Sequence, residues 1–449
     1  MSLLLRGYYG PATEDTNTNS SRSRRRHHLS TSPRAGDIFV SASTWPGAHL
    51  KFYSKKPWMV LCVASIVLSL LALICVQAIT GFPSSGPLSS TASTSASKMA
   101  SAGVVGSAST LTVVRQRAKA AILGGFVADA ATMPLHWIYD RERIEILLKE
   151  AQLSCDRPEF YPKPACPFYQ YPLGSLSPYG DELVPLLRHL TSQGARGFDS
   201  RTFAKESAAF FKSYTGRLSH VPKLFLEATE AGKEGDEAAA PDSQAHGIIK
   251  VPLLVARYAG SPDLLPRVTA AVRVHQCGDE SAAASVALAR VLEHVVLTGT
   301  TTKEAIQAVL THADRHASRA LGAAERAILE TALAAQYPDP DVIKKFGWSC
   351  ALPGALQGSL YVAAHAPDYT SGVRFSIMAG GDNCSRNIVI GALLAAQNPK
   401  NVIPAEWIAK TRPCVDVEAL ADKINKNVAL SSCGRANKCD FSALKQNPL

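Results

Sequence analysis

Between Asp279 and Gly299 the chain reads "DESAAASVALARVLEHVVLTG". Its apolar residues recur at three- and four-residue spacing, the period of an amphipathic helix. Val286, Ala289, Leu292 and Val296 fall on one face, and the charges of Arg290 and Glu293 are expected largely on the other. Helix-length patterns of the same kind cover about 112–130, 181–192, 200–214, 244–258, 263–276, 303–335, 349–364, 384–397 and 415–428. Strand-like alternation is nearly absent, so the expected fold class is all-α.

One stretch breaks the pattern. From Leu153 to Tyr179 the chain carries Pro158, Pro162, Pro164, Pro167, Pro172 and Pro178. Proline removes a backbone donor and clashes within a helix, which predicts a long ordered loop laid over the helices. Phe160, Tyr161, Phe168, Tyr169 and Tyr171 are expected to pack rather than to be solvated.

The 449 residues carry a net charge of +10, with 46% hydrophobic and 19% charged residues. The positive charge is concentrated ahead of the helical region. No Asp or Glu lies between Asp37 and Asp129, and Arg22, Arg24, Arg25 and Arg26 stand further upstream. Nucleic acid is therefore not an expected partner of the folded part.

Residues 1–57 read as a basic disordered arm, and residues 81–110 as a Ser/Thr/Ala-rich linker. Trp58 to Thr80, "WMVLCVASIVLSLLALICVQAIT", is uncharged throughout. At ~1.5 Å per residue it is long enough to cross a bilayer, and it predicts a transmembrane or signal-anchor helix. The flanking bases place the arm in the cytosol and residues 111–449 in the lumen. A two-part address to a plastid or another organelle is the alternative. Two close cysteine pairs, Cys155 with Cys166 and Cys433 with Cys439, are expected as disulfides in an oxidising lumen and as thiols in a reducing compartment.

Polar groups gather in four places. "GGFVADAATMPLHWIYD" puts Asp129 in a small-residue helix and His136 after Pro134. "SPYGDELVPLL" puts Asp181 and Glu182 in a first helical turn, where the helix dipole is a sufficient reason for acids. "PDSQAHGIIKVPLLVARY" carries Gln244, His246 and Lys250. "GGDNCSRNIVIGALLAAQ", Gly380 to Gln397, delivers Asp382 and Asn383 from two glycines that tolerate unusual dihedrals.

Taken in order with "VRVHQCGDESAAASVALARVLEHVVL", "LPGALQGSLYVAAH" and "IPAEW", these segments resemble the ADP-ribosylglycohydrolase family, and within it the branch of the J1 crystallins and selenoprotein J. The resemblance covers about residues 115–410. It implies an all-α orthogonal multi-helix bundle whose cleft, in active members, holds two magnesium ions and cleaves glycosidic bonds to ADP-ribose. The family's Thr-Asp-Asp cluster falls here on Tyr179, Gly180 and Asp181. Its Asp-x-Asp-Thr cluster falls on Asp382, Cys384 and Ser385, and its metal-closing glutamate on His136.

The resemblance thus implies metal ligands Asp181, Asp382 and Ser385 facing one cleft, with at most one magnesium, because two such ions need more anionic oxygens than remain. It suggests substrate contacts at Asp129, His136, Tyr179, His246 and Asn383, and a small-molecule or ADP-ribosylated substrate. Asp382 has other uses: capping its helix, bonding Ser385 or pairing with Arg386. Restored carboxylates at Gly180 and Cys384 are expected to raise magnesium affinity. Two functions stay open, a glycosidic hydrolase with a degraded metal site and a non-catalytic crystallin-like structural or ligand-binding protein.

Overall fold

The computed structural model describes residues 96–400 and 402–426, with side chains from Thr110 to Ile424. The arm, the expected membrane segment 58–80 and the pair Cys433 and Cys439 lie outside the described residues. The described chain is helical, with no strand among its residues and isolated bridges only, such as Ile138 with Gly381.

The helices are α1 (Ala96–Thr132), α2 (Arg141–Glu150), α3 (Pro178–Ser192), α4 (Ser200–Ser213), α5 (His220–Glu230), α6 (Val251–Tyr258), α7 (Leu264–Arg273) and α8 (Asp279–Thr298). They continue as α9 (Thr302–Leu310), α10 (Ala323–Ala334), α11 (Pro340–Phe346), α12 (Gly354–His365), α13 (Tyr369–Met378), α14 (Asn383–Gln397), α15 (Ala405–Lys410) and α16 (Cys414–Lys426). α1 begins inside the expected linker, because no proline follows Pro87 there and alanine favours helix. The single pattern expected at 303–335 is two helices, α9 and α10. Short helices α2, α5, α11, α13 and α15 carry too few turns to show a clear period.

α8 occupies the centre and packs against α6, α7, α9, α10 and α14. Its length and apolarity would suit a membrane span, but it is largely buried inside the domain. Arg290 and Glu293 are each 1% exposed, contrary to the expected polar face. A helix surrounded on all sides has no solvent face, so its charges are paired inside. The Arg290 guanidinium donates to both Asp314 oxygens at 2.8 Å, and Glu293 accepts from Gly260 N at 2.8 Å and lies 2.7 Å from His316 Nε2.

α1 and α14 cross at two glycines. A Cβ on Gly124 would stand 2.3 Å from Gly391 O, and one on Gly391 would stand 2.3 Å from Gly124 O. The small-residue runs found in both segments are therefore a crossing point that brings Asp129 and Asp382 near one another.

The proline-rich segment is an ordered loop over the helices, tied down by Phe160 N to Ala131 O at 2.8 Å and Ala165 N to Pro134 O at 2.7 Å. Phe160, Tyr161 and Tyr169 are buried. Phe168 is not; it is 54% exposed. Cys155 and Cys166 are both free thiols, the first exposed and the second buried.

Candidate functional site

Gly380 and Gly381 have φ of +73° and +72°, the left-handed region open to glycine. Side chains would collide there: a Cβ on Gly381 would lie 2.3 Å from Trp348 O. This turn pairs with the segment after α1, Trp137 N donating to Gly381 O at 3.0 Å and Gly381 N to Ile138 O at 2.8 Å. It sets Asp382 and His136 face to face, 246 residues apart in sequence and both fully buried.

The His136 Nε2 to Asp382 Oδ1 distance is 2.7 Å, and His136 Nδ1 lies 2.6 Å from the Tyr169 hydroxyl. Burial pushes the His136 imidazolium down, so the ring is neutral. Burial also works to raise the Asp382 carboxyl, but the His136 bond, the nearby charges and Ser385 outweigh it and hold it below its ordinary value. With Asp382 ionised, Nε2–H donates to it and Nδ1 accepts from Tyr169 O–H. Ser385 Oγ donates to the other oxygen, Asp382 Oδ2, at 2.9 Å. Of the alternatives for Asp382, the Ser385 bond is made and the helix cap is not. Arg386 spends its donors on Ser376, Gly380 and Trp348 carbonyls.

Asp129 is held by Ser177, which donates from its backbone N at 2.8 Å and from Oγ at 2.5 Å. The same hydroxyl caps α3 by accepting from Tyr179 N and Gly180 N. Complete burial raises the Asp129 carboxyl to about 7, against the lowering effect of the Ser177 bonds. Gly180 lies against this carboxylate, and a Cβ there would be 2.2 Å from Asp129 Oδ2. A carboxylate introduced at Gly180 would have to displace Asp129, whose Oδ2 stands where the new Cβ would go.

A third buried cluster joins α3 to the segment before α6. Glu182 Oε2 lies 2.6 Å from His246 Nδ1, and Glu182 Oε1 accepts from Lys250 Nζ at 3.1 Å. Burial would raise Glu182, yet His246 and Lys250 reverse this and bring it down to about 2. Lys250 Nζ also donates to His246 O at 2.6 Å, one turn back. This leaves His246 Nε2 buried with no hydrogen-bond partner. The Tyr179 ring is 5.1 Å from the His246 ring, and its buried hydroxyl faces Asp382 and Cys350.

Asp181, half-buried at the start of α3, accepts from the Tyr214 hydroxyl at 2.7 Å. Tyr214 opens the α4–α5 loop, which folds as a strap across the proline-rich segment. Arg217 N donates to Tyr171 Oη at 2.6 Å, and the Arg217 guanidinium stands 5.5 Å from the Trp137 ring and 5.2 Å from the Phe168 ring. Trp137 itself has φ of +58°, and its ring stacks on His136 at 4.3 Å.

Asp129, His136, Tyr179, Asp382 and Ser385 are thus gathered around one buried region, with His246 against Tyr179. Asn383 is buried beside them, its amide donating to Leu135 O at 3.1 Å. α3 and α14, which carry Asp181 and Asp382 at their starts, pack against each other. Sequence reasoning missed Tyr169 and Ser177, and took Glu182 for a dipole-stabilising acid. The only local signal was the i, i+4 spacing of His246 and Lys250.

Magnesium takes hard oxygen donors at ~2.0–2.1 Å in octahedral geometry. Here both oxygens of Asp382 accept protein hydrogen bonds, the Ser385 hydroxyl is turned onto Asp382, and Asp181 carries Tyr214. Cys384 is a soft donor whose thiol burial pushes well up. Among the described residues no group of three or more His, Cys, Asp or Glu side chains is placed to hold a metal ion. These residues do not fit a magnesium pair.

Fold and site together define an all-helical domain in which a glycine turn delivers Asp382 and a serine-capped helix start carries Asp181. The family model described as ADP-ribosylglycohydrolase matches residues 110–433. The chain belongs to that family. Crystallin J1A of Tripedalia cystophora is 32% identical over 330 residues, covering 70% of this chain and 97% of the crystallin. Crystallin J1B of the same animal is 32% identical over 319 residues, covering 66% and 92%. A solved structure described as an ADP-ribosylglycohydrolase-related protein complex superposes with a TM-score of 0.56 at 21% identity, over 71% of this chain and all of that one. At that identity the likeness concerns the fold.

Proposed function

We propose that this domain is a hydrolase of glycosidic bonds to ADP-ribose or a related ribosyl group, in which an imidazole replaces magnesium as the activator of water. One observation carries the reading: Glu182 holds Nδ1 of a fully buried His246 and leaves Nε2 unpartnered. A histidine oriented in this way by a carboxylate has the tautomer of a general base. Nε2 accepts a proton from water, the water oxygen bonds to the anomeric carbon, and the leaving group departs with the electron pair of the glycosidic bond. Tyr179, kept as a phenol by burial, offers its hydroxyl to the developing charge. His136 and Asp382 form a neutral-imidazole and carboxylate relay beside this position. Ligand entry requires the Tyr214–Arg217 strap to swing away.

The test is release of ADP-ribose from an ADP-ribosylated protein by the full-length chain in excess EDTA. Turnover that survives EDTA and falls about 10²–10⁴-fold in His246→Gln, the usual worth of a general base, is the expected result. Turnover that requires magnesium, or that is unchanged in His246→Gln, overturns the reading.

A second reading, a non-catalytic crystallin-like structural or ligand-binding protein, is favoured by the internal pairing of Asp129, Glu182 and Asp382 and by the two crystallin relatives. Absence of turnover, with a thermal shift on adding ADP-ribose, would select binding; absence of both would select the structural role. Membrane attachment through residues 58–80 with a lumenal domain belongs to the proposal, with organelle import as its alternative. Alkaline carbonate extraction and protease protection of the full-length chain distinguish them.

A further inference from the structure

A cavity of about 640 Å³ lies between α4, α5, α7 and the loop after α5, apart from the buried cluster just described. Its volume is in the range of small-molecule sites, ~300–1,000 Å³. The floor is apolar and made of small groups: Ala204 and Ala208 on α4, Ala238, and Ala270 on α7, with Phe225 beneath. Alanine at four converging positions leaves space that larger side chains would fill. The loop on the open side bends outward through Gly232 and Gly235, at φ of +82° and +59°, with nothing within 4 Å of either Cβ position.

The charges at the mouth are unequally distributed. Arg201 and Lys205 stand one turn apart on α4, and Lys233 faces them from the loop. All three are exposed, and none joins an ion pair among the described residues. Like charges at i, i+4 destabilise a helix, so this pair is held at some cost, which the N-cap Asp199 relieves at Arg201 but not at Lys205. Elsewhere cations such as Lys119, Arg290 and Arg374 have acidic partners. Arg273, at the far edge, is committed to Cys277 O and Asp279. Glu234 and Asp236 lie on the loop side and would repel an anion there, which directs a negative head toward α4.

We propose that this cavity binds an amphipathic carboxylate, its apolar body on the alanine floor and its head group between Arg201 and Lys205. A neutral analogue of equal length lacks the ionic contact, and a plain inorganic anion lacks the buried area. Both should bind less tightly than the amphiphile.

The probe is dodecanoate below its critical micelle concentration, titrated calorimetrically into the full-length protein. One saturable site is expected, weakened about tenfold in Lys205→Gln and removed by Ala204→Trp, with dodecan-1-ol about tenfold weaker than dodecanoate. Should Ala204→Trp fail to fold, the surface substitution Lys205→Gln decides alone. The absence of a saturable site, equal binding of the alcohol, or wild-type affinity in Lys205→Gln overturns the proposal. So does capture of the protein by phosphatidylglycerol vesicles that Lys205→Gln weakens, without any dodecanoate binding, which would make this face a contact for lipid surfaces. The His246→Gln variant should bind dodecanoate like the wild type, keeping this outcome separate from that of the hydrolase reading.

Discussion

Position 180 lacks a side chain because the Asp129 carboxylate occupies the place a Cβ would take. Gly180→Ala should therefore destabilise the domain by about 1–3 kcal/mol, the usual cost of overpacking. In combination with Asp129→Ala the cost should be less than additive, because the colliding group is gone. Denaturant unfolding of the three variants measures the coupling. Asp129 carries a second expectation. Its carboxyl is raised from 3.8 to about 7, so between those values the folded chain keeps a proton that the unfolded chain has released. Stability is then highest below the unfolded value and declines as pH rises toward 7, by a total on the order of 4 kcal/mol. Asp129→Asn is always neutral and can still pair with Ser177. Between about pH 5 and 8 its melting temperature should fall less steeply than that of the wild type.

The elements that matter most are the strap and the central helix. The contacts that fasten the strap include Tyr214 to Asp181, Arg217 N to Tyr171, and the Arg217 guanidinium over Trp137 and Phe168. The last is at the surface, where a cation–π pair contributes about 0.5–1 kcal/mol. Arg217→Ala should leave global stability nearly unchanged while speeding amide hydrogen exchange in 168–171 and 214–218. Equal exchange in both proteins would show that the guanidinium does not hold the strap. In α8 the Arg290 and Asp314 pair is buried on both sides, so removing one partner strands the other. Asp314→Ala should cost about 3–5 kcal/mol, read as a shift in the unfolding midpoint. Replacing both with apolar residues should cost less.

At the scale of the whole molecule, the ADP-ribosylglycohydrolase fold holds its buried carboxylates in hydrogen-bonded pairs. If the domain owes its stability to packing and to the paired clusters, its melting temperature should be the same in EDTA and in millimolar magnesium. A magnesium-dependent rise would reveal a donor set other than the one described. The all-helical class was readable from period and alanine content, and the glycine turn before Asp382 and the helix start at Asp181 were readable from their motifs. The proline-rich segment also announced a loop, since proline excludes helix whatever surrounds it. These are local properties: backbone dihedrals, helical period and steric exclusion act within a few residues. Local pattern could not say that Arg290 and Glu293 are buried, because which helix becomes central depends on what packs around it. Nor could it show that Tyr169 meets His136, that Ser177 holds Asp129, or that Glu182 orients His246. Those partners come from separate segments, and only the crossing of α1 with α14 and the docking of two loops set them within hydrogen-bond distance. The sequence by itself determined the helices, the Gly380–Gly381 turn and the proline-rich loop. The tertiary structure alone decided how the remaining polar groups are paired, because a buried charge must find a partner wherever the packed chain supplies one.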